Sequence, residues 1–278
     1  MHILVTNDDG VNAPGLLALA QAIRSLPDVE VTVLAPDRNW SSSGHVKTLH
    51  RPLRLYQVML ADGTLAWASD GAPSDCVALA VLGALEKPID MVVSGINPTP
   101  NLGHDVTYSG TVTAAMEAVI SGLPGIAISL DSPQDLIGPR DYRAAAAIAK
   151  YVVQQVLQHG WPKGVVLNVN VPYLPLDQIK GIQITRQGTR VYRDRLEKRI
   201  DPKGRPYYWI GGEAPTGVPE DGTDIGALAA GYVSITPLKL DLTAYEVMDH
   251  LRAWSWDDLP RACRAVSPPD ARAALQEP

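Results

Sequence analysis

Two aspartates stand side by side at positions 8 and 9, after the apolar run Ile3-Leu4-Val5 and before Gly10. Adjacent carboxylates repel, and a strand end offers them no obvious relief. Asp-Gly is a turn dipeptide, and an aspartate can cap a following helix. The other reading is a shared cation, which replaces repulsion with attraction. Two acids at one strand end favour the cation, and an all-oxygen surrounding suits Mg²⁺ or Mn²⁺. Three further groups have chemical potential. The loop Asp37-Arg38-Asn39-Trp40-Ser41-Ser42-Ser43 is followed by His45, which reads as a structural hydrogen-bonding residue. Ser94 and Asn97 close the stretch "IDMVVSGIN", where Asn97 is either a turn residue or an amide oxygen for a cation. Ser109-Gly110-Thr111 opens a helical pattern. It is either an ordinary helix cap or a set of free N–H groups that can cradle a phosphate.

These groups can meet only if the elements between them bring strand ends to one edge. Residues 2–6 and 29–36 read as buried strands. Between them Leu16, Leu19, Ala20 and Ile23 recur at helical spacing, with Pro14 in the first turn. That β–α–β start predicts a parallel sheet. Short strands follow over 46–69, a helix over 72–85, strands over 89–97, 125–130 and 164–172, and helices over 109–122 and 141–160. Residues 181–212 read as a long hairpin leaving the core, 231–243 as a returning strand and 244–254 as an amphipathic helix. Open α/β sheets bind ligands beyond the carboxyl ends of their strands, and that is where Asp8, Asp9, the serine loop and Asn97 fall.

The chain has 278 residues, 46% hydrophobic and 19% charged, with a net charge of -6. A sizeable core is expected. The acidic balance and the lack of a basic block argue against a nucleic-acid polymer as partner. Cys76 and Cys263 form no framework, which fits a reducing compartment. No leader pattern and no apolar run near the ~18 residues of a membrane span are visible, so a cytoplasmic protein without membrane contact is expected. Phosphate-binding GxxxxGK[ST], dinucleotide-binding GxGxxG and nucleophile-elbow GxSxG motifs are absent. Gly10 breaks the DxD pattern of an aspartyl-phosphate nucleophile.

The stretches "ILVTNDDGVNAPG", "APDRNWSSSGH", "GAPSDCVALA", "VSGIN" with "PNLGHDVTYSGTVTAAMEA", and "GYVSITPL" occur in order from residue 1 to about 243. Together they resemble the SurE family of metal-dependent nucleotidases, the stationary-phase survival proteins. The resemblance implies an α/β fold: a Rossmann-like doubly wound, mostly parallel sheet over 1–180, and a protruding β-hairpin, returning strand and C-terminal helix over 181–257 used in oligomerisation. A loosely ordered tail over 258–278 completes the expected organisation. It further implies a homodimer or homotetramer, and one divalent cation per subunit held by Asp8, Asp9, Ser41 and Asn97. The matching phosphate segment is Ser109, Gly110 and Thr111. The implied activity is release of phosphate from nucleoside 5′- and 3′-monophosphates by a metal-activated water, with Asp8 and Asp9 catalytic. A polyphosphatase and a non-catalytic nucleotide- or metal-binding protein are the alternatives. Two departures flank the site: Trp40 stands where a basic residue is usual, and Pro98-Thr99 follows Asn97 in place of a small or basic pair.

Overall fold

The computed structural model describes residues 1–254 and Trp256; the tail expected over 258–278 lies outside the described residues. Its centre follows from alternation along two buried strands. In β1 (His2–Thr6), Ile3 and Val5 point to one face and Leu4 to the other. Each face needs its own helical cover. On the first, α1 (Pro14–Arg24) lays down Leu16, Leu19 and Ile23, and α4 (Arg143–His159) adds Ala145, Val152 and Val156. On the second, α2 (Pro73–Leu79) and α3 (Gly110–Ile120) contribute Cys76, Val77, Ala114 and Ala118. Each fully buried aliphatic side chain contributes about 1.5–3 kcal/mol, so this double cover carries most of the fold's stability.

The remaining strands of the main sheet are β2 (Glu30–Pro36), β3 (Leu55–Met59), β4 (Leu65–Ser69), β5 (Met91–Asn97), β6 (Gly125–Asp131), β7 (Val165–Pro172), β8 (Ile182–Ile184) and β11 (Val233–Lys239). Nine strands take the order β3-β4-β2-β1-β5-β6-β7-β11-β8. The run from β4 to β7 is parallel. Only β3 against β4 and β11 against β7 are antiparallel. This is the doubly wound, mostly parallel sheet expected from the sequence. The three strands that carry the acid pair, the serine loop and Asn97 are its adjacent central members, β2-β1-β5.

Four local readings change. The helix over 72–85 ends at Leu79 and loosens into a wide turn in which Gly83 takes φ 94°. Within 46–69, strands form only over Leu55–Met59 and Leu65–Ser69. Residues 181–212 are not one hairpin. Ile182–Ile184 pairs with β11 in the main sheet, and the arm is β9 (Arg190–Ile200) against β10 (Pro206–Gly217). Its tip is tied by Asp201, whose carboxylate accepts the N–H groups of Lys203 and Arg205 at 2.8 and 2.9 Å. A short helix, α5 (Asp224–Ala229), was not foreseen. Contacts group Met1–Leu240 into one unit. A second unit begins at Asp241 and contains α6 (Tyr245–Arg252). No helix among the described residues is long and apolar enough to cross a membrane.

Candidate active site

The acid pair sits in a loop that is fastened from both sides. The Asn7 side chain accepts the Gly10 N–H at 3.2 Å and donates to the Gly10 carbonyl at 3.0 Å. Gly10 takes φ 105°, and a Cβ there would lie 3.2 Å from the Arg38 backbone. Glycine is therefore required for both conformation and space. Asp8 turns inward and is 3% exposed. Thr111 Oγ1 donates to its carboxylate at 2.5 Å, and the backbone N–H groups of Gly110 and Thr111 face it from the start of α3. A Cβ on Gly110 would come within 2.6 Å of Asp8 Cβ, so glycine lets the helix end approach this closely. Burial nevertheless raises the Asp8 carboxyl above its ordinary value, against those hydrogen bonds. Burial and then the Asp8 charge push Asp9 up to about 7, with Arg140 pulling the other way. Both acids therefore favour a proton or a cation.

The other residues singled out in the sequence fall around this pair in different ways. The Trp40 N–H bonds to the Asp8 carbonyl at 2.7 Å, which places the next residue, Ser41, beside the acid loop. Ser41 is exposed, and its own N–H is held by Asn39 Oδ1 at 2.6 Å. Asn97 ends β5 and is 7% exposed. Its amide nitrogen donates to the Thr99 carbonyl at 2.6 Å and to Thr99 Oγ1 at 3.1 Å, so its oxygen is the atom left for a ligand. Ser109 caps α3 by accepting the Val112 N–H at 3.1 Å; the cap reading applies to its hydroxyl. His45 is structural, as read. Its Nε2 meets the buried Glu117 of α3 at 2.9 Å, and Lys47 Nζ meets the other carboxylate oxygen at 3.1 Å.

Several residues at this edge were not picked out from the sequence. Arg140, in the loop before α4, lies within electrostatic reach of Asp9 and donates to Ser132 Oγ at 2.7 Å. Ser132 in turn donates to the Pro98 carbonyl. Thr6, the last residue of β1, and Ser94, midway along β5, are register partners. Both are fully buried, and neither hydroxyl has a hydrogen-bond partner. Beyond β5, Asn101 is locked by Ser129, Asn168 and Asn170 at 2.8–3.1 Å. Arg190, at the root of the arm, pairs with Asp105 at 2.6 Å, just before the α3 cap.

A doubly wound α/β protein whose central strands deliver carboxylate, amide and hydroxyl oxygens to one carboxyl edge is the class that this fold and site define. The model of the survival protein SurE matches residues 3–194, and the chain belongs to the SurE family. It is 49% identical over 257 residues to the 5′-nucleotidase SurE of Chloroflexus aggregans, covering 92% of this chain and 100% of that protein. It is equally similar, 49% over 259 residues, to the 5′-nucleotidase SurE of Herpetosiphon aurantiacus, covering 93% and 100%. The crystal structure of the SurE protein from Aquifex aeolicus superposes with a TM-score of 0.74 at 44% identity, covering 91% of this chain and 98% of that one.

Proposed function

We infer that the protein is a 5′-nucleotidase that hydrolyses the phosphate ester of nucleoside monophosphates in a divalent-cation-dependent reaction. One observation carries this: a buried carboxylate, Asp8, facing the first turn of α3 with Asp9 beside it, in a chain nearly half identical over its length to proteins named 5′-nucleotidase. The residues fit a hard cation. Asp8 and Asp9 supply the charge, Asn97 and Ser41 supply neutral oxygens, and the unpartnered hydroxyls of Thr6 and Ser94 leave polar capacity beneath them. Among the described residues no group of three or more His, Cys, Asp or Glu offers another kind of metal site. Mg²⁺ and Mn²⁺ are the ions this donor set suits. A bound cation would supply Lewis acidity toward the phosphoryl group and the attacking water.

The chain's own groups do the rest. Asp9, partly exposed at the edge of the acid loop, orients the water and takes up its proton. The first turn of α3, whose Gly110 and Thr111 N–H groups hold Asp8, brings the positive end of the helix to the edge where charge on the phosphoryl oxygens develops. Ser109 acts through its cap, and Thr111 by fixing Asp8. Water adds to phosphorus as its proton passes to Asp9, the ester P–O bond breaks, a proton from solvent reaches the departing oxygen, and nucleoside and inorganic phosphate leave. The 3′-monophosphates are proposed as further substrates. Cys76 is buried and unpaired, which supports a reducing, cytoplasmic setting. The exposed apolar residues of the arm, among them Leu196, Trp209 and Ile210, support assembly into a homodimer or homotetramer.

The test is phosphate release from AMP and GMP with Mn²⁺ or Mg²⁺, with and without EDTA. Activity should vanish with chelation and fall at least a hundredfold in Asp8→Asn and Asp9→Asn. Nucleotide binding without turnover, or wild-type rates in both variants, would overturn the assignment.

A further inference from the structure

Beside the acid pair, on the same edge of the sheet, lies a cavity of about 460 Å³. Its apolar wall comes from Leu130 in β6, Leu174 and Leu176 after β7, and Ala144 in the first turn of α4. Tyr173 also lines it, partly buried, with its hydroxyl accepting the Asp141 N–H at 3.0 Å. At the rim the exposed Arg143 pairs with both carboxylate oxygens of Asp141 at 2.6–3.0 Å. None of these residues has a part in the cation and phosphate chemistry described above.

The cavity's position gives it meaning. Leu130 directly follows Ser129, the register partner of Asn97. The Pro98 carbonyl, one residue past Asn97, is bonded to Ser132, and Ser132 to Arg140. The next residue after Arg140 is the cavity's Asp141. Tyr142 is within electrostatic reach of Asp9, Arg140 and Tyr173. The strip Arg140–Tyr142 therefore connects the acid pair, which Arg140 and Tyr142 reach, with the cavity, which Asp141 lines. A ligand anchored by its phosphate at Asp8 and Asp9 can extend across this strip into the cavity. The volume lies in the range of small-molecule pockets, which combine apolar walls with a few fixed polar groups. A flat group with an apolar face and a polar edge matches a tyrosine ring, leucine side chains and a planar arginine.

We propose that this cavity receives the nucleobase of the substrate, with Tyr173 and Arg143 as its principal contacts and the Arg140–Tyr142 strip lying under the sugar. The proposal rests on the nucleotidase reading and adds where the part of the substrate that does not react is held.

The experiment compares AMP with ribose 5-phosphate, which carries the same phosphate and sugar without the base. Kinetics are measured for wild type, Tyr173→Leu, Ala144→Phe and Leu176→Ala; the last alters an exposed wall that folding does not need. We expect wild type to prefer AMP. Tyr173→Leu and Ala144→Phe should raise the KM for AMP about tenfold, in the range that base stacking accounts for, and leave ribose 5-phosphate within about twofold. Leu176→Ala should raise it in the same direction by about threefold. Equal losses on both substrates, or an unchanged AMP preference in all three variants, would overturn the proposal. If wild type releases phosphate from neither compound, the nucleotidase reading fails separately. Calorimetric titration with AMP then decides the cavity: weaker binding by the variants supports it, and unchanged binding rejects it.

Discussion

Asp9 sits in an electrostatic conflict. Burial, and then the neighbouring Asp8, raise its carboxyl to about 7, whereas an unfolded aspartate ionises near ~3.9. The folded protein binds that proton more tightly than the unfolded chain does. Its stabilising effect is therefore complete below about pH 4 and is lost as pH rises to about 7. A shift of this size corresponds to up to roughly 4 kcal/mol. Freed of metal by EDTA, Asp9→Asn should melt several degrees above wild type at pH 8 and at the same temperature near pH 4. Saturating Mn²⁺ should reverse the order at pH 8, because only the wild type gains from the ion. Thermal denaturation curves that coincide at both pH values would show that the conflict lies elsewhere. The pair itself was legible in the sequence because two adjacent acids at a strand end need an explanation. Arg140 was not. It sits in a loop with no periodicity, and its charge matters to Asp9 only after folding has closed more than a hundred residues of intervening chain.

Between β2 and α3 the site is held by one loop and one helix, and each fastens the other. The Thr113 hydroxyl donates to the Gly44 carbonyl at 3.1 Å, and Glu117 grips His45 and Lys47. Ser41 is therefore carried on a loop tied at the Trp40 N–H and again over residues 44–47. Removing the acid leaves His45 and Lys47, both near the surface, without their shared partner, so Glu117→Ala should chiefly loosen the loop. We expect the Mn²⁺ concentration for half-maximal activity to rise about fivefold, kcat to stay within twofold, and amide exchange over 41–47 to quicken. Unchanged metal dependence alongside faster exchange would remove Ser41 from the cation's ligands. The two departures from the family pattern also become intelligible here. Trp40 makes its tie through the backbone, which any residue can supply, and Arg38 lies over its ring at 5.4 Å, bringing a positive charge to that position. Thr99 occupies the Asn97 amide nitrogen. Strands β1 and β5 were readable because a run buried on both faces is continuously apolar. The fate of residues 182–184 was not readable, because β-forming residues do not announce which strand they will pair with. The side-chain lock around Asn101 was equally hidden, since its partners are residues 129, 168 and 170.

Across the whole molecule, one wide sheet supports the site and one arm stands apart from the sheet's pairing. A two-stranded ribbon has marginal stability in water, yet this one shows Leu196, Ile200, Trp209 and Ile210 more than half exposed. Covering those side chains with a second copy resolves the difficulty. Light scattering should give at least a dimer for the wild type. It should shift toward the monomer for Leu196→Ser combined with Trp209→Ser and Ile210→Ser, while β1, β2, β5 and α3 keep the site intact within each chain. A wild-type monomer would assign the arm another role. The arrangement around Asp8 also has a consequence for the order of synthesis. The acid pair leaves the ribosome ahead of Thr111, its hydrogen-bond donor, which lies 103 residues later. At about 5–20 residues per second, that is a delay of roughly 5–20 s. During it the two charges remain hydrated, and water screens their repulsion to little effect. The nascent chain carries its most awkward pair at almost no cost until α3 arrives, and the conflict begins only when the helix end closes over it.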